Sequence, residues 1–410
     1  MKILIAEDDV TSRKLLKMSL VNMGHDVVEA ENGAEAWRLY QDGRFALVIT
    51  DWEMPKFTGI QLCQAIRQAG RNHYTFVILL TVKGDKESLL IAFDAGADEF
   101  LSKPIDRAEL IARVHSATRV IELETKLRER YFELDQAHRM IKKDLEAAAR
   151  IQNSLLPNRE SLDIPFEVAW DLIPCEELAG DIFNVIPLDK NRWGIYLLDV
   201  SGHGVASALM SVTLSRLLSP NPEHSVLFGR RGSTRDLLSP SQVLNLLNQQ
   251  YQISEETGGQ YFTMVYGIYN SLTMTFKYSS AGHPPLLLLN EQGDVVEIES
   301  RNLPIGFTEE GDYKDSIIVL RPNEQIVFYS DGVVEMPNPD NQLYGPERLA
   351  DLLKTHHTDS TETVVQSIES AIQDWYGKTG SLPDDVSLLV LKAKNVVVPE
   401  ISSERIQLGN

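Results

Sequence analysis

Along the first 120 residues, short apolar runs alternate with segments of helical spacing. "KILIA" (2–6), "ALVIT" (46–50), "FVILLT" (76–81) and "EFLSKP" (99–104) are the apolar runs. Unbroken runs of this kind suit parallel strands buried on both faces. "TSRKLLKMSLVNMG" between the first two has helical spacing and ends at Gly24. The alternation predicts an α/β, doubly wound, flavodoxin-like parallel sheet with its site at the carboxyl ends of the strands.

The pattern changes near residue 117. Ala117, Val120, Glu124, Leu127, Tyr131, Leu134, His138, Ile141, Leu145, Ala148, Gln152 and Leu155 recur at spacings of three and four, with no Gly or Pro before Pro157. A repeat of about 3.5 residues predicts a long coiled-coil helix that joins two copies through 117–155. Glu124, His138 and Gln152 are polar seam positions, expected to weaken the pairing and fix its register.

Beyond about 158 the strands lengthen: "RWGIYLLDV", "YFTMVYGIYN", "TMTFKYSSAG", "PPLLLLN", "QIVFYSDG" and "DVSLLVLK". Helical patterns cover 204–218, 239–252, 346–355 and 361–376. Together they predict an α+β sandwich of antiparallel strands flanked by helices. Residues 219–240 read as a mobile loop. The expected divisions are 1–120, a helical linker at 121–157, 158–395 and a frayed tail at 396–410.

Composition narrows the function. Asp plus Glu number 59 against 39 Lys plus Arg, a formal net charge of −20. That argues against nucleic-acid or anionic-membrane binding and in favour of divalent cations. Two cysteines, Cys63 and Cys175, fit a reducing compartment, and no apolar run is long enough for a membrane span or secretory signal; a cytoplasmic protein is expected.

Two sets of acids carry the candidate chemistry. Glu7 and Asp8 end the first strand and Asp51 the third, so three carboxylates converge and call for a cation such as Mg²⁺. Thr81 and Lys103 close the next two strands and complete a place to hold a phosphoryl group on Asp51. "AEDD", "TDWEMPKFTG", "LLTV" and "FLSKP" in this order resemble the receiver domain of bacterial response regulators. The resemblance implies Asp51 as phosphoacceptor, and Asp8, Asp51 and the Glu53 carbonyl as Mg²⁺ ligands with Glu7 acting through water. It further implies Thr81 and Lys103 as phosphoryl contacts, Phe100 as the switch aromatic, and a histidine kinase or phosphotransfer protein as partner.

Asp181, Asp199, Asp331 and the Asp384–Asp385 pair form the second set, each beside a strand and a glycine or turn. Such a set suits two cations about 4 Å apart that share a carboxylate and activate water for attack on phosphorus. In "LLDVSGHG" the strand delivers Asp199 and the glycine turn frees the next carbonyl. "AGD", "LLDVSGHG", "SSAGHPPLLLL", "LPIGF", "FYSDGVVE", "YGPERL" and "DDVSLLVL" resemble the PPM metal-dependent protein phosphatases, in their SpoIIE-like bacterial branch. "AAARIQNSLLP" is similar to the helix that leads into that domain. The resemblance implies two Mn²⁺ or Mg²⁺ ions, Asp199 as bridging ligand, and the Val200 carbonyl on one ion. Asp331 and Asp384 would serve the other, with Asp181 completing the site, and the substrate would be a phosphorylated STAS-type protein. Asn184 stands where the branch commonly has an acid. His203 and His283 are open to two readings, proton donor or turn-building residue.

Rival outputs are a diguanylate cyclase, for which "AGDIF" lacks the glutamate of "GGDEF", and a phosphatase-like module that only binds a partner. A DNA-binding output lacks a basic helix-turn-helix.

Overall fold

The computed structural model describes residues 1–394 apart from 72, 83–85, 159–163, 222, 232–233, 255–258, 299–301, 310 and 378–380, so the expected tail at 396–410 lies outside the described residues. The chain forms two compact units, Met1–Met140 and Ile141–Asn410.

The first unit alternates β1 (Lys2–Ala6), α1 (Val10–Asn22), β2 (Asp26–Ala30), α2 (Gly33–Asp42), β3 (Leu47–Asp51), α3 (Gly59–Gln68), β4 (Phe76–Thr81), α4 (Lys86–Asp94), β5 (Glu99–Ser102) and α5 (Arg107–Asn153). All strand pairs are parallel, in the order β2-β1-β3-β4-β5, which is the doubly wound sheet that the apolar runs predict. β3 and β4 are buried at every position, with Val48 and Val77 facing one layer of helices and Ile49 and Ile78 the other. Helix starts are set by side chains. Asp9 accepts from the Ser12 amide at 2.7 Å, and Thr58 and Gln61 form a capping box at α3. Gly59 opens α3 against the backbone of Asp51, where a β-carbon would stand 2.0 Å from the Asp51 carbonyl oxygen.

α5 is longer than the stretch that carries the seven-residue repeat. It is a single 47-residue helix that begins at Arg107, ahead of the repeat that starts near 117. Leu110, Val114 and Ala117 pack under the sheet with Ile3, Ile5 and Leu20. From Val120 to Ile141 the stripe is exposed, with Leu127 at 66% and Tyr131 at 73%. The change of pattern therefore marks where the helix leaves the sheet, not where it starts.

After the end of α5, the second unit runs β6 (Phe166–Ile173), β7 (Ile182–Pro187), β8 (Arg192–Val200), α6 (Val205–Leu217), β9 (Phe228–Arg231), β10 (Thr234–Leu237), α7 (Pro240–Gln250), β11 (Phe262–Asn270), β12 (Thr275–Ala281), β13 (Leu286–Leu289), β14 (Val295–Ile298), β15 (Ser316–Val319), β16 (Gln325–Tyr329), α8 (Asp331–Val334), α9 (Pro346–Thr355), α10 (Thr361–Tyr376) and β17 (Val386–Ala393). Two antiparallel sheets, β15-β12-β11-β8-β7 and β14-β13-β16-β17-β6, face each other. Alternation along β8 shows how one strand builds two layers. Trp193, Ile195 and Leu197 join Phe328 and Leu389 between the sheets, whereas Tyr196, Leu198 and Val200 face α6 and α7. α9 and α10 cover the other sheet through Leu349, Leu353, Val364 and Ile368. Each such apolar side chain stabilises the fold by about 1.5–3 kcal/mol.

The segment 219–240 differs from the expected irregular loop. It holds the β9–β10 hairpin, with Leu227 fully buried and Phe228, Leu237 and Leu238 packed on the same core. The polar residues at its turn masked the apolar pair of strand ends in the sequence pattern.

Candidate active site

At the carboxyl ends of β1 and β3, Glu7, Asp8 and Asp51 bring one carboxylate oxygen each within 4.8 Å of one another. Lys103, just past β5, reaches between them, its Nζ 2.7 Å from Asp51 Oδ2 and 2.8 Å from Glu7 Oε2. Burial raises the pKa of Glu7 and the Asp51 charge adds to it, with Lys103 opposing. Burial pulls Lys103 down, but the two carboxylates outweigh it and hold the ammonium protonated. Thr81 is buried at the end of β4, and Phe100 lies edge-on to Phe93 with ring centres 6.2 Å apart. Glu53 is exposed on the loop after β3, and its side chain is outside the acid cluster.

Arg13 escaped the sequence reading. It is buried on α1, donates from Nη1 to the carbonyls of Glu7 (2.7 Å) and Asp8 (3.3 Å), and pairs with Glu31. It braces the backbone that carries two of the three acids. A lone arginine in the inward stripe of α1 was the available signal.

The second cluster forms where four chain segments meet at one edge of the sandwich. Asp199 is the penultimate residue of β8 and Asp331 the first of α8. Asp181 directly precedes β7, and Asp384 and Asp385 precede β17. Gly332 lets α8 approach the β17 segment, since a β-carbon there would stand 2.0 Å from the Asp385 carbonyl oxygen. Burial raises the Asp199 pKa to about 7, with the charges of Asp331 and Asp384 adding to it. Burial and then Asp384 bring Asp331 to about 6. Burial and the charges of Asp199 and Asp385 push Asp181 well above the carboxylate range. Asp384 is raised by burial, and His203 opposes the shift. One oxygen of Asp181, Oδ2, is buried without a hydrogen-bond partner. Among the described residues, no lysine or arginine forms an ion pair with any of these four acids. An all-oxygen donor set with an orphaned carboxylate oxygen and crowded like charge fits divalent cations. Among the described residues, a set of three acids with ligand atoms all within 4.8 Å of one another occurs only at Glu7, Asp8 and Asp51.

Asp385 has a different task from its neighbour. Its carboxylate accepts from the amides of Cys175 (2.8 Å), Gly180 (2.6 Å) and Asp181 (3.4 Å), so it shapes the loop that presents Asp181. Gln152 holds the same loop from the other side. Its Nε2 donates to the Ala179 carbonyl at 2.6 Å and its Oε1 accepts from the Ala179 amide at 3.1 Å. Gln152 is 3% exposed. That corrects its assignment to a coiled-coil seam: its amide matches both backbone groups of one residue, Ala179, inside the second unit and is not available to another helix. Asn184 donates to the Leu155 carbonyl at 2.7 Å, which a carboxylate could not do, and so ties β7 to the chain that follows α5.

The histidines separate. His283 is buried, with Nδ1 2.8 Å from Thr263 Oγ1, and burial lowers its pKa to about 3, which favours the neutral ring. His203 is exposed, with Nδ1 2.9 Å from Glu176 Oε1. Val200 ends β8 opposite Phe262, and the next residue, Ser201, pairs with Tyr261 through two hydrogen bonds.

Known proteins resemble each unit. The family described as stage II sporulation protein E (SpoIIE) matches residues 189–394, about half of the chain, and the response regulator receiver domain matches residues 3–115. The phosphoserine phosphatase RsbU of Bacillus subtilis is 29% identical over 262 residues, 62% of this chain and 71% of RsbU. RsbP, a phosphoserine phosphatase of the same organism, is 28% identical over 57% of this chain and 53% of its own length. A chemotaxis protein CheY homolog of Campylobacter jejuni is 36% identical over 106 residues, 25% of this chain and 82% of that protein. The SiaA-PP2C domain of Pseudomonas aeruginosa shares the fold of the second unit, with a TM-score of 0.52 and 20% identity over 62% of this chain and 98% of that domain. No helix among the described residues is long and apolar enough to cross a membrane. The chain belongs to the stage II sporulation protein E family of PPM-type phosphatases and carries a response regulator receiver domain ahead of its phosphatase domain.

Proposed function

We propose that the chain is a response regulator in which phosphorylation of Asp51 governs a metal-dependent serine/threonine protein phosphatase centred on Asp199. The carrying observation is the acid cluster of buried Asp181, half-buried Asp199 and Asp331 and exposed Asp384, which no lysine or arginine neutralises among the described residues. Mn²⁺ or Mg²⁺ held there would supply activated water for attack on a phosphoester. Asp199 would be shared between two ions, with the Val200 carbonyl on one, Asp331 and Asp384 on the other, and Asp181 completing the set. Asp385 and Gln152 hold the Asp181 loop in place, and His203 with Glu176 borders the site.

In the first unit, Asp51 would accept the phosphoryl group from a histidine kinase or phosphotransfer protein. Glu7, Asp8 and the Glu53 carbonyl would hold Mg²⁺ beside it. Thr81 and Lys103 would contact the new phosphoryl oxygens, and Phe100 would respond by turning. The exposed stripe of α5 from Val120 to Ile141 supports a homodimer, shorter than 117–155 because Ala117 and Gln152 are buried within the two units. By likeness to RsbU and RsbP, the substrate is a protein phosphoserine, with a phosphorylated STAS-type protein as the first choice.

The test is phosphate release from candidate phospho-STAS proteins by the full chain with Mn²⁺, with and without beryllofluoride. A rate that beryllofluoride changes in the wild type but not in Asp51→Asn supports the reading. No release from any phosphoprotein or from p-nitrophenyl phosphate overturns it.

A further inference from the structure

The end of the receiver sheet opposite Asp51 has a feature that phosphoryl transfer does not use. A cavity of about 1320 Å³ opens between the amino-terminal ends of the strands and the part of α5 that projects past them, entirely within residues 1–140. Five cationic side chains line it against two acids, Glu124 and Glu129, the reverse of the balance in the chain as a whole.

Three of the cations lie near enough to one imidazole to act on its charge. The guanidinium groups of Arg71, Arg44 and Arg128 all act on the imidazole of His73 and, after burial, lower its proton affinity. His73 Nε2 is buried with no hydrogen-bond partner. Arg71 is fixed, donating to the carbonyls of Gly43 (2.5 Å) and Gln41 (2.6 Å) with its plane 4.5 Å above the Tyr40 ring. Arg44 is exposed and makes no hydrogen bond or ion pair among the described residues. Crowded cations beside an unsatisfied imidazole nitrogen favour an anion, for the same reason that crowded carboxylates favour a metal.

The α5 wall narrows the class of anion. Phe132, off the pairing stripe, lines the cavity and remains 59% exposed, so its ring face is open to stacking. An apolar groove alone would suit a helix, but the guanidiniums near His73 suit phosphate. Phosphate and a planar ring occur together in a nucleotide.

We propose that this cavity is a nucleotide-binding site, with the phosphates between Arg44 and Arg128 beside His73 and the base against Phe132. A ligand so placed joins the sheet to α5 at the point where the helix leaves it.

Isothermal titration of the full chain with ADP, GDP and inorganic pyrophosphate tests the site. EDTA in the buffer keeps both acid clusters free of metal and prevents turnover. Saturable binding of at least one nucleotide is expected, with a Kd of about 100 µM or tighter and about tenfold stronger than pyrophosphate. Arg44→Ala and Arg128→Ala should each weaken it about tenfold, and Phe132→Ala should weaken the nucleotide but not pyrophosphate. Acetyl-phosphate labelling of Asp51 with Mg²⁺ should persist in all three variants, which checks their folding. Absence of binding by both nucleotides at about 2 mM would overturn the site, as would affinity unchanged in Arg44→Ala. Equal affinity for pyrophosphate and the nucleotides would overturn its assignment to nucleotides.

Discussion

The two acid clusters of this chain use the same residue types at strand ends, yet they meet the problem of like charge in opposite ways. Around Asp51 the answer is built in: Lys103 reaches both Asp51 and Glu7, and Asp8 is open to water. Around Asp199 no lysine or arginine among the described residues answers, and burial and mutual repulsion raise the proton affinity of Asp181, Asp199, Asp331 and Asp384. Glycine permits the close backbone approach at each, Gly59 against Asp51 and Gly332 against Asp385. Lys103 thus offsets part of the charge of the receiver cluster, which on the proposed reading takes and loses one phosphoryl group, whereas the phosphatase cluster would need ions from solution. A resident cation suits a switch, and its absence suits a metal centre.

The largest effect expected from this contrast is that of metal removal. Chelation should abolish phosphate release, by about 10³-fold or more, while leaving the receiver folded, as stopped assays and circular dichroism would show. Gln152→Ala should lower turnover by about ten- to a hundredfold, because it frees the Asp181 loop, and should raise the Mn²⁺ concentration needed for half-maximal rate. Recovery of the metal dependence in Gln152→Glu would contradict a role that needs both an amide donor and an acceptor.

Lys103→Ala makes the receiver cluster resemble the catalytic one. Its acetyl-phosphate labelling should fall about tenfold while Mg²⁺ binds more tightly, since the competing ammonium is gone. Quenching of Trp52, whose amide donates to Asp51 Oδ1 at 2.8 Å, can report the binding.

A smaller effect concerns stability without metal. Asp199 and Asp331 have folded-state pKa values of about 7 and about 6, above the ordinary 3.8, so the folded state holds more protons than the unfolded one between these limits. Their contribution therefore falls as pH rises through that window. In EDTA, the thermal midpoint of Asp199→Asn relative to wild type should rise by a few degrees from about pH 5 to about pH 8, and Mn²⁺ should erase the wild-type trend. A flat difference would mean that the cluster is not strained.

Much of this was legible from the chain. The apolar runs located the receiver strands, and "LLDVSGHG" located the turn after Asp199, because burial on both faces leaves a signature in consecutive residues. Contacts distant in sequence were not legible. Gln152 fits a seven-residue repeat as well as any polar seam residue does, and only the fold brings Ala179 to it. Asp384 and Asp385 are adjacent and chemically identical, yet one faces the acids and the other accepts backbone amides from Cys175, Gly180 and Asp181. The β9–β10 hairpin was hidden because its apolar residues flank a polar turn rather than alternate through it.

The central claim is that the two clusters divide the chemistry, and it is tested most directly by measuring both reactions in two variants. Phosphate release from p-nitrophenyl phosphate with Mn²⁺ and acetyl-phosphate labelling with Mg²⁺ would be followed in Asp199→Asn and Asp51→Asn. The account predicts that Asp199→Asn loses release by about 10³-fold and keeps its label, while Asp51→Asn loses the label and keeps basal release within about threefold. Release that survives in Asp199→Asn, or a label that survives in Asp51→Asn, would contradict it.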